Sequence, residues 1–235
     1  MGPVTRYRGR FFLLPLTLPT PVKGPLRVLC LGAHSDDIEI GCGGTILELI
    51  SGGIPIECHW VVFTADDVRE REARASAAEF LRGARASEVV VERFRNGYFP
   101  WVGDAIKDRF ETLKKTLSPD LVFTHYRDDR HQDHRVISDL TWNTWRDHMI
   151  LEYEVPKYDG DLGSPGLFVP VDETACREKV RILLASFPSQ RVKHWFTEDT
   201  FLSLMRLRGI ESCAAGRYAE AFYARKLVLA PTRGA

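Results

Sequence analysis

Strand-like apolar runs and helical stretches alternate four times in roughly the first hundred residues of the folded part of this chain. That alternation limits its fold more than any other feature. Leu26–Leu31 is a short apolar run ended by Gly32 and reads as a buried parallel strand. Gly41-Cys42-Gly43-Gly44 then opens a helical stretch, Thr45 to Ser51, closed by Gly52-Gly53. A strand is expected over Ile54 to Phe63. A charged amphipathic helix is expected over Val68 to Leu81, with Ala73, Ala77, Phe80 and Leu81 facing inward. A third strand covers Glu88 to Phe94, a helix Val102 to Leu117, and a fourth buried strand Leu121 to Thr124. This cadence predicts right-handed βαβ units: an α/β fold, one Rossmann-like domain, with a mostly parallel central sheet flanked by helices.

Beyond Asp133 the pattern predicts a helix to Trp145 and a strand over Met149 to Glu154. Val155 to Val169, rich in Gly, Pro and Asp, reads as a long loop. Helices are expected at Asp172 to Ser186 and Glu198 to Gly209, and a last strand within Ala221 to Leu229. No internal repeat interrupts this order.

Lys plus Arg and Asp plus Glu both number 32, so formal charge is zero and bulk nucleic-acid binding is disfavoured. Five scattered cysteines with no CxxC pair suit a reduced, cytoplasmic protein rather than a disulfide scaffold. Arg6, Arg8 and Arg10 precede the apolar stretch Phe11 to Leu18, the outline of a signal peptide. Pro15 interrupts that stretch, Pro19 ends it, and no small-x-small cleavage site follows. Residues 1–25 are therefore expected to form an N-terminal arm on a domain of residues 26–235. The apolar arm would suit an interface between copies of the chain. No run approaches the ~18 apolar residues of a membrane helix, so no membrane span is expected.

Ligands in an open parallel sheet bind beyond the carboxyl ends of its strands. Two polar clusters fall there: Ala33-His34-Ser35-Asp36-Asp37 after the first strand, and His125-Tyr126-Arg127-Asp128-Asp129-Arg130-His131-Gln132-Asp133-His134 after the fourth. Two imidazoles and a carboxylate leave an open position on a divalent metal, which polarises a carbonyl and acidifies water. One further carboxylate serves as base, and one more group meets the developing oxyanion or the leaving amine. His125, Asp128 and His148, each taken alone, read as caps or solvated loop residues. Gly41 to Gly44 reads as a turn with close helix–sheet packing, since it does not fit GxGxxG.

Ala33-His34-Ser35-Asp36-Asp37-Ile38-Glu39-Ile40-Gly41-Cys42-Gly43-Gly44-Thr45 resembles the AHPDD(E) signature and Gly-rich turn of the PIG-L/LmbE-like zinc-dependent de-N-acetylases. Asp129-x-His131-x-Asp133-His134 resembles that family's HxDH motif, and Tyr218-Ala219-Glu220-Ala221-Phe222 a late family segment. The resemblance implies a metal-dependent hydrolase that removes acetyl from an N-acetylglucosamine-type sugar or conjugate, releasing acetate and a free amine. It implies His34, Asp37 and His134 as metal ligands, with Zn2+ as the metal and Fe2+ or Co2+ as alternatives. Asp36 would be the general base. His131 would stabilise the oxyanion or protonate the amine, with Asp133 orienting it. Arg69 and Glu72 sit where the family often has an Arg/Glu pair, and Tyr98, Phe99 and Trp101 could form a sugar-stacking wall. The candidate substrate contacts are Arg69, Glu72, Tyr98, Trp101 and Asp129.

Ser35 replaces the usual Pro and Ile38 the usual acid; neither is an implied ligand or base. Two other classes use some of the same residues. A non-haem Fe(II) oxygenase also needs two His and one carboxylate, but such sites usually sit on an all-β barrel. A non-catalytic sugar- or nucleotide-binding domain would keep the fold without needing Asp36.

Overall fold

The strand Leu26–Gly32 is buried on both faces apart from Arg27, which is why it reads as an unbroken apolar run. The computed structural model describes residues 13–18 and 24–229. In chain order these form β1 (Leu26–Gly32), α1 (Asp37–Ser51), β2 (Ile56–Val62), α2 (Asp67–Phe80), β3 (Ala86–Val91) and α3 (Gly103–Thr116). There follow β4 (Leu121–His125), α4 (Gln132–Thr144), β5 (Met149–Tyr153), β6 (Leu167–Val171), α5 (Glu173–Ser186), α6 (Glu198–Glu211) and β7 (Tyr218–Tyr223). Short 3-10 turns lie at Phe99–Trp101 and Pro188–Gln190.

Among the described residues the strands make one seven-stranded sheet in the order β3-β2-β1-β4-β5-β7-β6. β1 to β5 pair in parallel; β7 runs antiparallel to both β5 and β6. The result is a single α/β domain. On one face α1, α2, α5 and α6 bury Ile38, Ile46, Ala77, Phe80, Val180, Leu183, Phe201 and Met205. On the other, α3 and α4 bury Ile106, Phe110, Leu113 and Ile137 against Leu29, Leu31, Val61 and Val122. Each large aliphatic or Phe side chain removed from water contributes roughly 1.5–3 kcal/mol, the main return against chain entropy. Strands β1, β2, β3 step outward one way; the chain then returns to lay β4 on the other side of β1. The β1/β4 gap is the switch point where such sheets bind ligands.

Three expectations need correction. The glycines 41 to 44 are not a turn: α1 already begins at Asp37 and runs through them. Their small size serves packing, since a Cβ on Gly41 would stand 2.1 Å from the Tyr153 ring, and one on Gly43 2.6 Å from Phe80. The stretch expected as loop to Val169 holds an edge strand, β6, whose Gly- and Pro-flanked sequence hides its pairing with β7. The last strand, Tyr218–Tyr223, starts three residues ahead of the expected window and overlaps it only at 221–223.

The late segment also does more than close the sheet. Glu220 of β7 accepts the backbone N–H groups of Gly44 and Thr45, both at 2.7 Å. Lys179 of α5 donates to Glu220 Oε1 and to the Ile40 carbonyl, each at 2.6 Å. A buried ion pair thus clamps the middle of α1 and fixes the helix that carries the first cluster. The expected arm over residues 1–25 falls mostly outside the described residues. Among the described residues, no helix is long and apolar enough to cross a membrane.

Candidate active site

β1 and β4 end side by side, and their last residues bring the two polar clusters together. Asp36 is the residue before α1, and its side chain makes no capping bond to the helix. Its Oδ1 instead meets the Arg69 guanidinium at 2.8 Å, while Oδ2 is buried without a protein partner. Asp37 lies in the first turn of α1, where the helix dipole favours an anion. It accepts the His34 backbone N–H at 2.6 Å. His131 caps α4 by accepting the Asp133 N–H, which places Asp133 and His134 in that helix's first turn.

Three of these residues converge on one point. His34 Nδ1 is 3.1 Å from His134 Nε2 and 3.3 Å from Asp37 Oδ2, and His134 Nε2 is 3.5 Å from Asp37 Oδ1. Donor atoms bound tetrahedrally at about 2.0–2.1 Å lie roughly 3.4 Å apart, so the set fits one small divalent ion. His34, His131 and His134 also form a group with metal-ligand spacing, as do Asp37, His125 and His134. Access comes from the His34 side: its side chain is 18% exposed, against 4% for Asp37 and 2% for His134.

The electrostatics agree with a cation at this point. Burial works against charge on His34, but Asp37 and Asp133 outweigh it and raise its pKa to about 10. The carboxylates draw positive charge here; a proton on His34 answers them, as a metal ion would. Burial and the neighbouring His125 hold His134 down to about 3, so its imidazole is neutral. Asp37 is buried, yet His134, His125 and His34 hold its pKa well below the usual range. His131 is lowered by burial and by His34.

The outer contacts explain the tautomers. His134 Nδ1 faces Asp129 Oδ2 at 2.8 Å, so its proton sits there and Nε2 is left as a lone pair. Asp129 also accepts from Lys157 Nζ at 2.9 Å and from the His131 N–H at 2.8 Å. Both of its oxygens are therefore engaged, and the expectation that it contacts substrate gives way to that of a holder of His134. Asp133 was expected to orient His131. Its carboxylate instead accepts the Gly97 and Phe99 N–H groups, at 2.7 and 3.1 Å, and faces His34 Nε2 at 3.4 Å.

Of the other expected contacts, Arg69 bridges Asp36 and Glu72, and Glu72 in turn accepts from the Ser189 N–H and hydroxyl. Glu72 is thereby committed within the protein. Tyr98 and Trp101 pack on each other at 5.8 Å beside the Gly97–Phe99 segment that holds Asp133. Trp101 is 72% exposed, while Phe99 is buried core.

His125 does not behave as a solvated loop residue. It is fully buried, stacks on His134 at 3.9 Å, and accepts the Ala33 N–H at 2.9 Å. It braces the end of β1 against a candidate ligand. Its place as the last residue of a buried strand was the available signal. Asp128 is exposed, and among the described residues the His148 imidazole pairs with Asp147, as expected.

A parallel α/β sheet with an imidazole–carboxylate cluster at its switch point, and a spare carboxylate beside it, defines a class able to hold a metal and activate water. Residues 29–145 match the family model described as GlcNAc-PI de-N-acetylase (PIG-L). The chain belongs to this PIG-L/LmbE-like family. It is 29% identical over 139 residues to the uncharacterized deacetylase YaiS of Escherichia coli K12, spanning 55% of this chain and 74% of that one. It shares its fold with the N,N'-diacetylchitobiose deacetylase of Pyrococcus horikoshii, with 22% identity, a TM-score of 0.62 and coverage of 88% and 86% of the two chains. It shares it equally with GalB, the 4-carboxy-2-hydroxymuconate hydratase of Pseudomonas putida KT2440, at 14% identity and a TM-score of 0.69, covering 89% and 100%. The fold alone therefore does not choose the reaction.

Proposed function

We propose that this protein is a metal-dependent N-acetyl-sugar deacetylase. It would hydrolyse the acetamide of an N-acetylglucosamine-type sugar or sugar conjugate to acetate and a free amine. The convergence of His34 Nδ1, His134 Nε2 and the Asp37 carboxylate within 3.1–3.5 Å carries this reading. Family membership and the deacetylases among its relatives support it. His34, Asp37 and His134 would hold the ion; zinc is the first candidate, and Fe2+ or Co2+ suit the same donors. Such an ion supplies Lewis acidity, polarising the acetamide carbonyl and acidifying a water.

The chain's own residues supply the rest. Asp36, fixed by Arg69 at 2.8 Å, has a free buried oxygen to take a proton from the attacking water. His131 stands edge-on to His34 at 4.8 Å and is partly open to the mouth. With Nδ1 accepting the Asp133 N–H, its Nε2–H donates a hydrogen bond to the oxygen as charge develops there, and the proton that Asp36 takes from the water passes to the nitrogen as the C–N bond breaks. Trp101 and Tyr98 offer a ring face to the sugar. The substrate would be a small molecule, with no nucleic acid in the reaction.

The test is equimolar release of acetate and primary amine from N-acetylglucosamine and its conjugates, with and without prior chelation. Release that chelation abolishes and Zn2+ restores supports the proposal. Metal binding without acetate release from any N-acetyl sugar would move the reaction to another water-adding chemistry on the same fold.

A further inference from the structure

The loop between β5 and β6 carries a second ring surface that the reaction does not use. Tyr158 is 67% exposed and stacks on the exposed His194 at 5.0 Å and 13°. His194 Nδ1 and the Tyr158 hydroxyl are hydrogen-bonded at 3.1 Å. Trp195 stands edge-on to Tyr158 at 6.5 Å, with the Lys193 ammonium over its ring. Tyr158 and His194 are exposed while Trp195 is half-buried on the core, so two open rings are held in a fixed arrangement against an anchored third.

Both halves of this ledge are tied to the site. Next to Tyr158, Lys157 reaches Asp129 at 2.9 Å and Asp161 at 2.6 Å, and Asp129 holds His134. Further along, Gly163 donates to Glu154 at 2.9 Å, and its carbonyl accepts from Arg208 at 3.0 Å. On the other side, Asp36 pairs with Arg69, Arg69 with Glu72, and Glu72 with Ser189, five residues before His194. Lys157 and Asp129 thus link the Tyr158 end of the ledge to His134 through two hydrogen bonds. Tyr158 lies on the connection after the carboxyl end of β5, the strand next to β4, and His194 and Trp195 on the connection between α5 and α6, whereas Tyr98 and Trp101 lie on the connection after β3, on the other side of β1.

We infer that Tyr158, His194 and Trp195 form a subsite for a second sugar ring, the one attached to the ring that bears the acetamide. A pyranose has a flat C–H face that suits an exposed aromatic, and hydroxyls that suit the Tyr, His and Lys edges. The inference rests on the proposed deacetylase reading and extends it to substrate size: the chain selects a two-ring or longer conjugate over a single amino sugar.

The experiment uses the free-amine compounds, so that binding is read apart from turnover. Wild type and Tyr158→Ala are titrated with glucosamine and with chitobiose, following Trp fluorescence or heat. Wild type is expected to bind chitobiose several-fold tighter than glucosamine. Tyr158→Ala and His194→Ala are expected to lose roughly 3–10-fold on chitobiose, the size of one lost ring stack, and to bind glucosamine within twofold of wild type. Tyr158→Phe, which keeps the ring, retains most of the preference. No preference for chitobiose in wild type, or equal losses on both sugars, overturns the subsite. Acetate release is measured in parallel: preference without release leaves the subsite standing and sinks the deacetylase reading, while release without preference does the reverse.

Discussion

Replacing Asp129 with Asn tests how the second cluster holds His134. Asp129 accepts three hydrogen bonds: from His134 Nδ1 at 2.8 Å, Lys157 Nζ at 2.9 Å and the His131 N–H at 2.8 Å. The first two share Oδ2 and the third uses Oδ1. An asparagine has one oxygen, so either its amide meets the His131 N–H, or it meets His134 and Lys157. Both choices set donor against donor. The charged partners raise the loss, since hydrogen bonds to charged groups contribute about 1.5–3 kcal/mol each. Carboxylates behind metal-ligating imidazoles typically carry 10–100-fold in metal affinity. Asp129→Asn is therefore expected to weaken zinc binding by roughly 10–100-fold, or about 1.4–2.7 kcal/mol, with the fold retained. Competition against a chelator of known affinity measures it, with circular dichroism to confirm folding. A folded variant that binds zinc within twofold of wild type would refute the reasoning, because the imidazole would then need no such anchor.

Five further outcomes are expected. Asp36→Asn should lower kcat for acetate release by about 10²–10⁴-fold while metal stays bound, as read by steady-state kinetics and elemental analysis together. Zinc affinity should climb between about pH 6 and pH 8: the ion must displace the proton that His34 holds up to about 10, whereas His134, at about 3, has none to lose. The same raised value means that His34 stabilises the metal-free fold fully below its unfolded pKa of about 6.5 and less as pH rises toward 10, so the metal-free Tm should drift down over that range. Lys179→Met removes the counter-charge of the buried Glu220, leaving it only the Gly44 and Thr45 N–H groups, and should destabilise the protein by about 3–5 kcal/mol in urea titration. Gly41→Ala places a methyl 2.1 Å from the Tyr153 ring and should lower soluble yield and Tm sharply, whereas Gly53→Ala, at φ 76° with nothing nearby, should cost far less.

Much of the fold was readable because its parallel strands are buried on both faces and so appear as apolar runs. Leu26–Leu31 and Leu121–Thr124 fall within β1 and β4, and the amphipathic stripe Ile106, Phe110, Leu113 packs as the periodicity requires. What escaped was information held by other parts of the chain. Gly41, Gly43 and Gly44 lie inside a helix and lack a Cβ because Tyr153, Phe80 and Glu220 press against them, and no local pattern encodes those neighbours. β6 exists through its pairing with β7, some fifty residues later. In the site, His34, Asp36, Asp37, His131 and His134 were legible as clusters at two strand ends, and the structure brings them together. The partners that fix them were not legible: Lys157 on Asp129, Gly97 and Phe99 on Asp133, and Ala33 on His125 are contacts across distant segments. Asp129 and Asp133 lie in the motif, but which imidazole each one faces is a matter of geometry alone.

The central claim is that His34, Asp37 and His134 hold one divalent metal ion. Elemental analysis of wild type and His134→Ala, both exchanged into the same chelator-free buffer with Zn2+ and then dialysed, tests it most directly. About one ion per wild-type chain is expected, with most of it lost from a folded His134→Ala. No stoichiometric metal in the wild type, or equal metal in the variant, would contradict it.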